Sequence, residues 1–319
     1  MNKSKGESTD TSMVSYQSSS TTIDTSKIDV GTKIAHETYP VYDAEVQGHE
    51  NEYALKFFPY EKKQLNAGYK NEVRFCSLMH PNIIAVKKTE DDFYVKSNGR
   101  HVHVSLILME KAKFGTLTSK AKVFKTIQTE NVARSYFAQL IRAIDYLHQR
   151  FIAHFDITTD NLLLDENFCL KLADFDKSYM EGDRQLRFQG SEHFRAPELI
   201  ENNDPQPFKC DIYSAGIILF VLNFGHLPYY ENKKIHDQDL YELLHNDKQK
   251  FWEFHQNIVR REISEDFKDL FEAMTDKDPI RRANLKYIKE HNWFKGSKYA
   301  DYKLKNIMMK HMIPYYSSQ

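Results

Sequence analysis

The stretch at residues 154–176 constrains the fold more than any other part of the chain. It contains two short apolar runs, at residues 162–164 and 170–173, and the polar residues 165–167 lie between them. This pattern predicts a small β-hairpin. The hairpin would hold Asp156 and Asn161 on its incoming loop and Asp174 at its outgoing end, so three side chains with oxygen atoms would converge. A small number of oxygen ligands suits Mg²⁺ that also carries phosphate.

The same stretch resembles the catalytic loop and metal-binding segment of protein kinases, because HFDITTDN at residues 154–161 is followed by Asp174 and Phe175. Further segments are similar to kinase segments and occur in the family's order. They are YALK at residues 53–56, Glu72, HPNII at 80–84, GSEHFRAPE at 190–198, DIYSAG at 211–216 and DPIRR at 278–282. The sequence is therefore similar to a protein kinase over residues 27–294.

The resemblance implies an α+β, bilobal protein kinase fold. Residues 27–110 would form a small antiparallel β-sheet lobe with one helix, and residues 111–294 would form a larger, mainly α-helical lobe. The sequence pattern favours strands and one helix in the first lobe, at residues 41–46, 53–57, 104–109 and about 65–79. In the second lobe, apolar residues spaced three and four apart predict a core-facing helix over 132–147 and another that begins after Ser264. The resemblance further implies that Arg282 pairs with Glu198.

The two ends of the chain lie outside this kinase region. Half of residues 1–26 are Ser or Thr, with almost no large apolar side chain, which predicts a disordered tail. This tail is either a solvated extension or a segment tuned by phosphorylation. Residues 295–319 form a basic tail that either docks on the kinase body or stays in solvent.

The resemblance also assigns roles to charged residues. Asp156 would orient the attacking hydroxyl group and accept its proton as the catalytic base. Lys56 would contact the ATP phosphates and pair with Glu72 as part of the catalytic set, while Asn161 and Asp174 would bind Mg²⁺. For any one of these residues alone the alternative is structural, namely a surface lysine or an aspartate that caps a turn.

A nucleotide site is implied in the same way. Glu110 and Ala112 fall where kinases place the hinge that hydrogen-bonds adenine through its backbone, and Met109 would be the gatekeeper at the back of the pocket. Ala54 and Leu163, together with the lysine named above, would complete the ATP site. Without the resemblance, Met109 reads as ordinary core packing at the end of an apolar strand.

The sequence also departs from the family. Residues 34–41 contain no glycine where kinases carry a glycine-rich loop over the phosphates, and Pro40 has no amide hydrogen. Asp176 replaces the usual glycine of the metal-binding segment, and Phe155 replaces an arginine that clamps a phosphorylated activation loop in many kinases. Thr158 replaces a lysine that touches the transferred phosphate in serine/threonine kinases. These changes predict weak nucleotide binding and activity that does not need activation-loop phosphorylation.

Two functions from different classes fit this pattern. The first is an ATP-dependent serine/threonine protein kinase that acts on a protein substrate, and its layout, including FWEFH at residues 251–255, loosely resembles the calcium/calmodulin-dependent kinase group. The alternative is a pseudokinase that serves as a nucleotide-binding scaffold or interaction module. The retained charged residues favour the kinase, and the missing glycines favour the scaffold.

Composition narrows the setting. The formal net charge of −1 gives no electrostatic case for binding nucleic acid or an anionic membrane. The three cysteines are far apart and lack metal-ligand spacing, which favours a reducing, intracellular compartment, cytoplasmic or nuclear. No apolar run in the sequence approaches the length of a membrane span. We expect a monomer.

Overall fold

The first part of the chain forms an antiparallel sheet that carries one helix. The computed structural model describes residues 23–35, 38–97, 100–120, 124, 129–183, 191–200, 205–229 and 237–316. The sheet has five strands in the order β1-β2-β3-β5-β4. Their bounds are β1 (Ile28–Ala35), β2 (Val41–Val46), β3 (Glu52–Pro59), β4 (Val86–Ser97) and β5 (Arg100–Glu110). The predicted strands at 41–46, 53–57 and 104–109 are thereby confirmed.

The single helix of this lobe, α1 (Ala67–Glu72), is shorter than the predicted helix at residues 65–79. It begins late because the side chain of Asn66 caps it, accepting hydrogen bonds from the amides of Gly68 and Tyr69. After Glu72 the chain tightens into a 3₁₀ turn, Val73–Phe75. The prediction was wrong about the length of the helix because apolar spacing alone does not distinguish an α-helix from this tighter turn.

The second part of the chain is mainly helical and also contains short β-strands. Its helices are α2 (Glu130–His148), α3 (Pro197–Ile200), α4 (Pro207–Phe224), α5 (Asp237–Asn246), α6 (Lys248–Val259), α7 (Glu265–Met274), α8 (Leu285–Glu290), α9 (Asn292–Lys295) and α10 (Asp301–Tyr316). Its short strands are β6 (Gly115–Thr116), β7 (Ile152–Ala153), β8 (Leu162–Leu164), β9 (Leu170–Leu172) and β10 (Tyr179–Met180). The predicted hairpin is formed by β8 and β9. The α+β, bilobal fold is confirmed.

Two central helices organise the core of this lobe. Helix α2 buries the whole predicted stripe, Val132, Tyr136, Phe137, Leu140, Ile141, Ile144 and Leu147, and α4 packs against it. Helix α4 has the length and apolar composition of a membrane span, although no apolar run of that length was expected from the sequence, and 78% of it is buried inside the molecule. It is therefore accounted for as a core helix.

Long-range polar contacts tie the lobe together. Helix α7 begins after Ser264 as predicted, but the Ser264 hydroxyl donates to Glu130 at 2.6 Å instead of capping its own helix. The predicted pair is also present, because two nitrogens of Arg282 donate to the carboxylate of Glu198 at 2.6 and 2.8 Å. Both side chains are buried. This pair holds α3 to the segment before α8.

The two ends of the chain differ in what can be said of them. Residues 1–22 of the predicted N-terminal tail lie outside the described residues. In the C-terminal segment, helix α10 buries Leu304, Met308 and Met312 in the core of the helical lobe. Of the two alternatives left open for this segment, docking on the kinase body is the one observed.

Candidate active site

A cavity of about 260 Å³ lies between the sheet and the β8–β9 hairpin. Its walls come from both lobes, so it is the cleft of the bilobal fold. Every predicted site residue except Asp156 lines it, namely Ala54, Lys56, Glu72, Met109, Glu110, Ala112, Asn161, Leu163 and Asp174. The structure therefore gathers residues that are up to 120 positions apart in the sequence, since Ala54 and Asp174 face the same space.

The inner end of the cavity holds a buried ion-pair cluster. Lys56 Nζ lies 2.8 Å from Glu72 Oε2 and 2.7 Å from Asp174 Oδ1. Burial alone would lower the pKa of Lys56, but the carboxylates of Asp174 and Glu72 outweigh it and raise the pKa. Burial tends to raise the pKa of Asp174, yet Lys56 overrides that effect and the pKa is lowered. Burial raises the pKa of Glu72 to about 6 against the pull of Lys56. Lys56 is thus held as a cation and Asp174 as a carboxylate at neutral pH, and Lys56 is the hydrogen-bond donor to both carboxyl groups.

Local structure explains why these three side chains meet. Lys56 lies on β3, a strand bonded on both sides, where it pairs with Val41 of β2 and Ile107 of β5. Glu72 is the last residue of α1. Asp174 follows β9 and adopts a left-handed backbone with φ of +67°, a conformation that aspartate tolerates better than most residues.

Asp156 lies beside the cavity and is held by three donors. Its Oδ2 accepts hydrogen bonds from Lys177 Nζ at 2.8 Å and from Asn161 Nδ2 at 3.0 Å. Its Oδ1 accepts one from the backbone amide of Ser191 at 3.3 Å. The side chain is 6% exposed. The carboxylate therefore has a fixed orientation, as a general base requires.

The loop that carries Asp156 is anchored from below by Asp211. The Asp211 carboxylate accepts the backbone amides of His154 and Phe155, both at 2.9 Å. Phe155 has a φ of +63°, which is uncommon for a bulky residue. The two charge-assisted hydrogen bonds stabilise this conformation, so the DIYSAG segment noted in the sequence supports the catalytic loop.

The predicted metal ligands also have defined partners. The Nδ2 atom of Asn161 donates to the backbone carbonyl and the carboxylate of Asp156, which leaves its Oδ1 as the atom that can bind a cation. Asp174 binds Lys56 through Oδ1. Within the described ranges, no group of three or more His, Cys, Asp and Glu side chains is arranged to hold a metal ion. A metal here would rely on these two residues and on its other ligands.

The hinge side of the cavity is built from β5. Met109 pairs with Ala54 across the sheet, so both reach the same wall. Glu110 accepts hydrogen bonds at its carboxylate from the amide of Ala85 and from Lys171, at 3.0 and 2.9 Å. These contacts fix the end of β5 where the chain passes between the lobes.

The departures from the kinase pattern have structural counterparts. Burial, followed by repulsion from Asp174, raises the pKa of Asp176 to about 7. Asp176 is not among the described residues with positive φ, and the left-handed backbone of this segment is at Asp174 instead of at the position of the missing glycine. The Phe155 ring is buried and its centroid lies 6.1 Å from that of Tyr179. Thr158 is also buried.

The segment before β2 takes a course that sequence reasoning did not predict. Tyr39 packs its ring on Phe58 with centroids 4.5 Å apart, and a Cβ at Gly68 would lie 2.6 Å from the Tyr39 hydroxyl. Gly68 thus makes room for Tyr39 against α1. The carbonyl of Pro40 accepts the amide of Phe57 at 3.1 Å. His36 and Glu37, in the middle of the predicted glycine-free loop, lie outside the described residues.

Sequence reasoning missed three residues that shape this site. Asn71 donates to the carbonyls of Asp176 and Ser178 at 2.9 and 2.7 Å, and Arg74 binds Asp183 through two hydrogen bonds. These contacts join α1 to the segment after Asp174. The third residue is Lys177. The sequence did carry a signal for Lys177. It is a cation three residues after Asp174, in a chain that has threonine at position 158 where the family has a lysine.

The fold has two lobes with one cleft between them. The cleft has a lysine–glutamate ion pair at its inner end and a hydrogen-bonded aspartate beside it. This arrangement is typical of protein kinases. Comparison with protein families agrees, since residues 38–294 match the protein kinase domain. The chain therefore belongs to the protein kinase family.

Individual relatives are similar over most of this chain. CBL-interacting protein kinase 26 of Oryza sativa subsp. japonica is 34% identical over 236 residues, 72% of this chain and 43% of the relative. CBL-interacting serine/threonine-protein kinase 15 of Arabidopsis thaliana is 32% identical over 226 residues, 68% of this chain and 48% of the relative. The chain thus spans about half the length of these curated relatives. The predicted resemblance to serine/threonine protein kinases is confirmed.

Proposed function

We propose that this chain is an active enzyme that transfers the γ-phosphoryl group of ATP to serine or threonine hydroxyls of a protein substrate. The observation that carries the proposal is the assembled cluster of Lys56, Glu72 and Asp174 at the inner end of the cleft. A buried lysine held between two carboxylates is costly to maintain. Its position at the wall of a cavity favours a role toward an anionic ligand over a purely structural one.

The donor set suits ATP together with Mg²⁺. Asn161 and Asp174 each keep an oxygen that can bind a hard cation, and both line the cavity. When bound, Mg²⁺ would neutralise charge on the β- and γ-phosphates. Lys56 would contact the phosphates, and the apolar walls around Ala54 and Leu163 would take up the adenine.

Asp156 then acts on the substrate. Its carboxylate orients the attacking hydroxyl group and takes up the proton as the bond from oxygen to the γ-phosphorus forms. The bond between the γ-phosphorus and the bridging oxygen breaks, and ADP leaves with that electron pair. Asn161 and Ser191 keep the carboxylate in place through this step.

The pseudokinase alternative is favoured by one specific feature, the course of the segment before β2. Tyr39 and Pro40 are engaged with β3, through Phe58 and Phe57. Pro40 has no amide hydrogen, so this segment offers fewer backbone amides to the phosphates than a glycine-rich loop would. We therefore expect an enzyme with weak nucleotide binding, and a scaffold only if transfer is absent.

The test is phosphate incorporation into a generic protein substrate with Mg²⁺ and ATP. Wild-type protein should transfer phosphate, and Asp156→Ala should reduce the rate roughly 10²- to 10⁴-fold, the range for loss of a general base. Asp145→Ala is the matched control, because Asp145 forms an ion pair with Lys289 on the protein surface. Wild-type protein with no more transfer than Asp156→Ala would favour the scaffold.

A further inference from the structure

Lys177 is a cation beside the cleft, in contact with Asp156, and the family pattern assigns it no role. Its Nζ lies 2.8 Å from Asp156 Oδ2, and its side chain is 26% exposed. Burial alone would lower the pKa of Lys177, but the Asp156 carboxylate outweighs it and raises the pKa. Lys177 therefore carries a positive charge next to the proposed catalytic base at neutral pH.

Asp156 does not depend on Lys177 for its orientation. Asn161 Nδ2 already donates to one carboxylate oxygen, and the amide of Ser191 donates to the other. Two donors on different oxygens are sufficient to fix the plane of a carboxylate. The ammonium group of Lys177 adds charge at a carboxylate whose geometry is otherwise set.

Position 158 provides no such charge. Thr158 is 2% exposed, and its hydroxyl oxygen accepts the backbone amide of Asn161 at 3.3 Å. The threonine therefore closes the turn of the catalytic loop. In the kinases that this chain resembles, a lysine at this position touches the phosphate being transferred, and its positive charge is missing here.

We propose that Lys177 supplies this charge from the segment after Asp174, and that its ammonium group contacts the phosphoryl group during transfer. The inference rests on the proposed kinase function. A lysine ammonium has three N–H donors, so the bond to Asp156 leaves two for phosphoryl oxygens. Its charge also offsets the repulsion between the Asp156 carboxylate and the approaching anionic oxygens, which is strong in a partly buried site.

The test compares turnover in variants that move or remove this charge. Lys177→Met should lower kcat roughly tenfold to a hundredfold, with KM for ATP changed by less than about threefold, because the contact forms mainly in the transition state. Lys177→Arg should keep most of the activity, and adding Thr158→Lys to Lys177→Met should restore at least about tenfold of the loss. Lys289→Met, which breaks the surface pair with Asp145, is the matched control and should leave both constants unchanged.

Rescue by Thr158→Lys distinguishes the charge of Lys177 from a structural role. A lysine at position 158 restores the cation but not the hydrogen bond between Lys177 and Asp156. Three results with an active wild-type protein would overturn this inference alone. They are a Lys177→Met variant with unchanged kcat, one in which only KM for ATP rises, and one that Thr158→Lys does not rescue. If the double variant does not fold, Lys177→Gln decides. Equal losses for glutamine and arginine overturn the inference, and a loss for glutamine alone supports it. Wild-type protein no more active than Asp156→Ala overturns the proposed function and this inference together.

Discussion

The two sides of the cleft hold their charges differently. On the nucleotide side, defined by Lys56, Glu72 and Asp174, the lysine is 4% exposed and lies between two carboxylates. On the substrate side, defined by Asp156, Asn161 and Lys177, the lysine is 26% exposed and meets one carboxylate, that of Asp156.

The two sides match the family to different degrees. Removing one member of a fully buried cluster leaves a charge without compensation, which typically costs about 3–5 kcal/mol. Lys56, Glu72 and Asp174 match the kinase pattern, although the glycine-rich loop and the glycine at position 176 are missing beside them. On the substrate side, Lys177 is more exposed than Lys56, at 26% against 4%, so a charge missing at Thr158 can be supplied from Lys177 at a smaller desolvation cost.

The largest expected effect is on the nucleotide side. Lys56→Met should lower turnover roughly 10²- to 10³-fold, the range for loss of a preorganised donor to a developing charge. It should also reduce the free energy of unfolding by about 3–5 kcal/mol, because Glu72 and Asp174 are left buried without a cation. Turnover is measured well below the melting temperature, and stability by chemical denaturation.

The matched control is Arg282→Met, which removes a buried cation from Glu198 outside the cleft. Its loss of stability should be similar, and the folded protein should keep a turnover close to that of the wild type. Equal losses of turnover in the two variants would mean that Lys56 acts only through stability. The Lys56–Glu72 pair in the cleft would then contribute no more to turnover than the Arg282–Glu198 pair outside it.

The next effect concerns the metal. Chelating Mg²⁺ should weaken ATP binding roughly tenfold to a hundredfold, because the charge of Mg²⁺ no longer offsets the repulsion between the Asp174 carboxylate and the phosphates. Calorimetric titration with and without Mg²⁺ measures this difference, and Asp174→Asn should largely abolish it. ATP that fails to bind even at millimolar concentration, or binds equally well without Mg²⁺, would remove the nucleotide side from the proposal.

A smaller effect is expected where α1 meets the segment after Asp174. Asn71→Ala removes the hydrogen bonds to Asp176 and Ser178, so α1 and its Glu72 lose a contact with the segment after Asp174. We expect kcat/KM to fall about fivefold to tenfold, which corresponds to about 1–1.4 kcal/mol. Steady-state kinetics with the generic substrate measures it.

Asn66 offers the control for this prediction because it belongs to the same helix. Asn66→Ala removes the helix cap and should cost about 1 kcal/mol of stability, with little change in turnover. If Asn71→Ala and Asn66→Ala reduce turnover equally, α1 contributes only through its stability. The hydrogen bonds from Asn71 to the segment after Asp174 then have no separate role in turnover.

Much of the fold was predictable because its signals are local. The β8–β9 hairpin, the stripe on α2 and the alternation in β2 follow from side-chain periodicity. The residues around the cavity, among them Lys56 and Asp174, were predicted from ordered motifs, and the structure brings them to one cleft. Their roles toward ATP and Mg²⁺ remain predictions.

Other features could not be read from the sequence because they depend on contacts across the fold. The length of α1 depends on the cap at Asn66 and on the tightening after Glu72. The role proposed for Lys177 depends on its distance to Asp156, which no spacing rule gives. The position of the left-handed backbone, at Asp174 and not at Asp176, likewise depends on the surrounding hydrogen bonds.

The contacts of the segment after Asp174 support the prediction that the site does not need phosphorylation. Phe155 packs near Tyr179 where many kinases place an arginine for the phosphate. Ser178 is buried, and its hydroxyl donates to the carbonyl of His154 at 3.3 Å. Asn71 and Arg74 hold α1 to this segment through their own hydrogen bonds. The charges of both sides are therefore in place without a phosphate group.

The most direct test of a working site is the transfer rate of phosphatase-treated protein, measured with Mg²⁺, ATP and a generic substrate beside Asp156→Ala. We predict that dephosphorylated wild-type protein transfers phosphate at a rate close to that of untreated protein and far above that of the variant. The contradictory result is a dephosphorylated protein as inactive as Asp156→Ala, with activity that returns only when Ser178, Tyr179 or Ser191 is phosphorylated again.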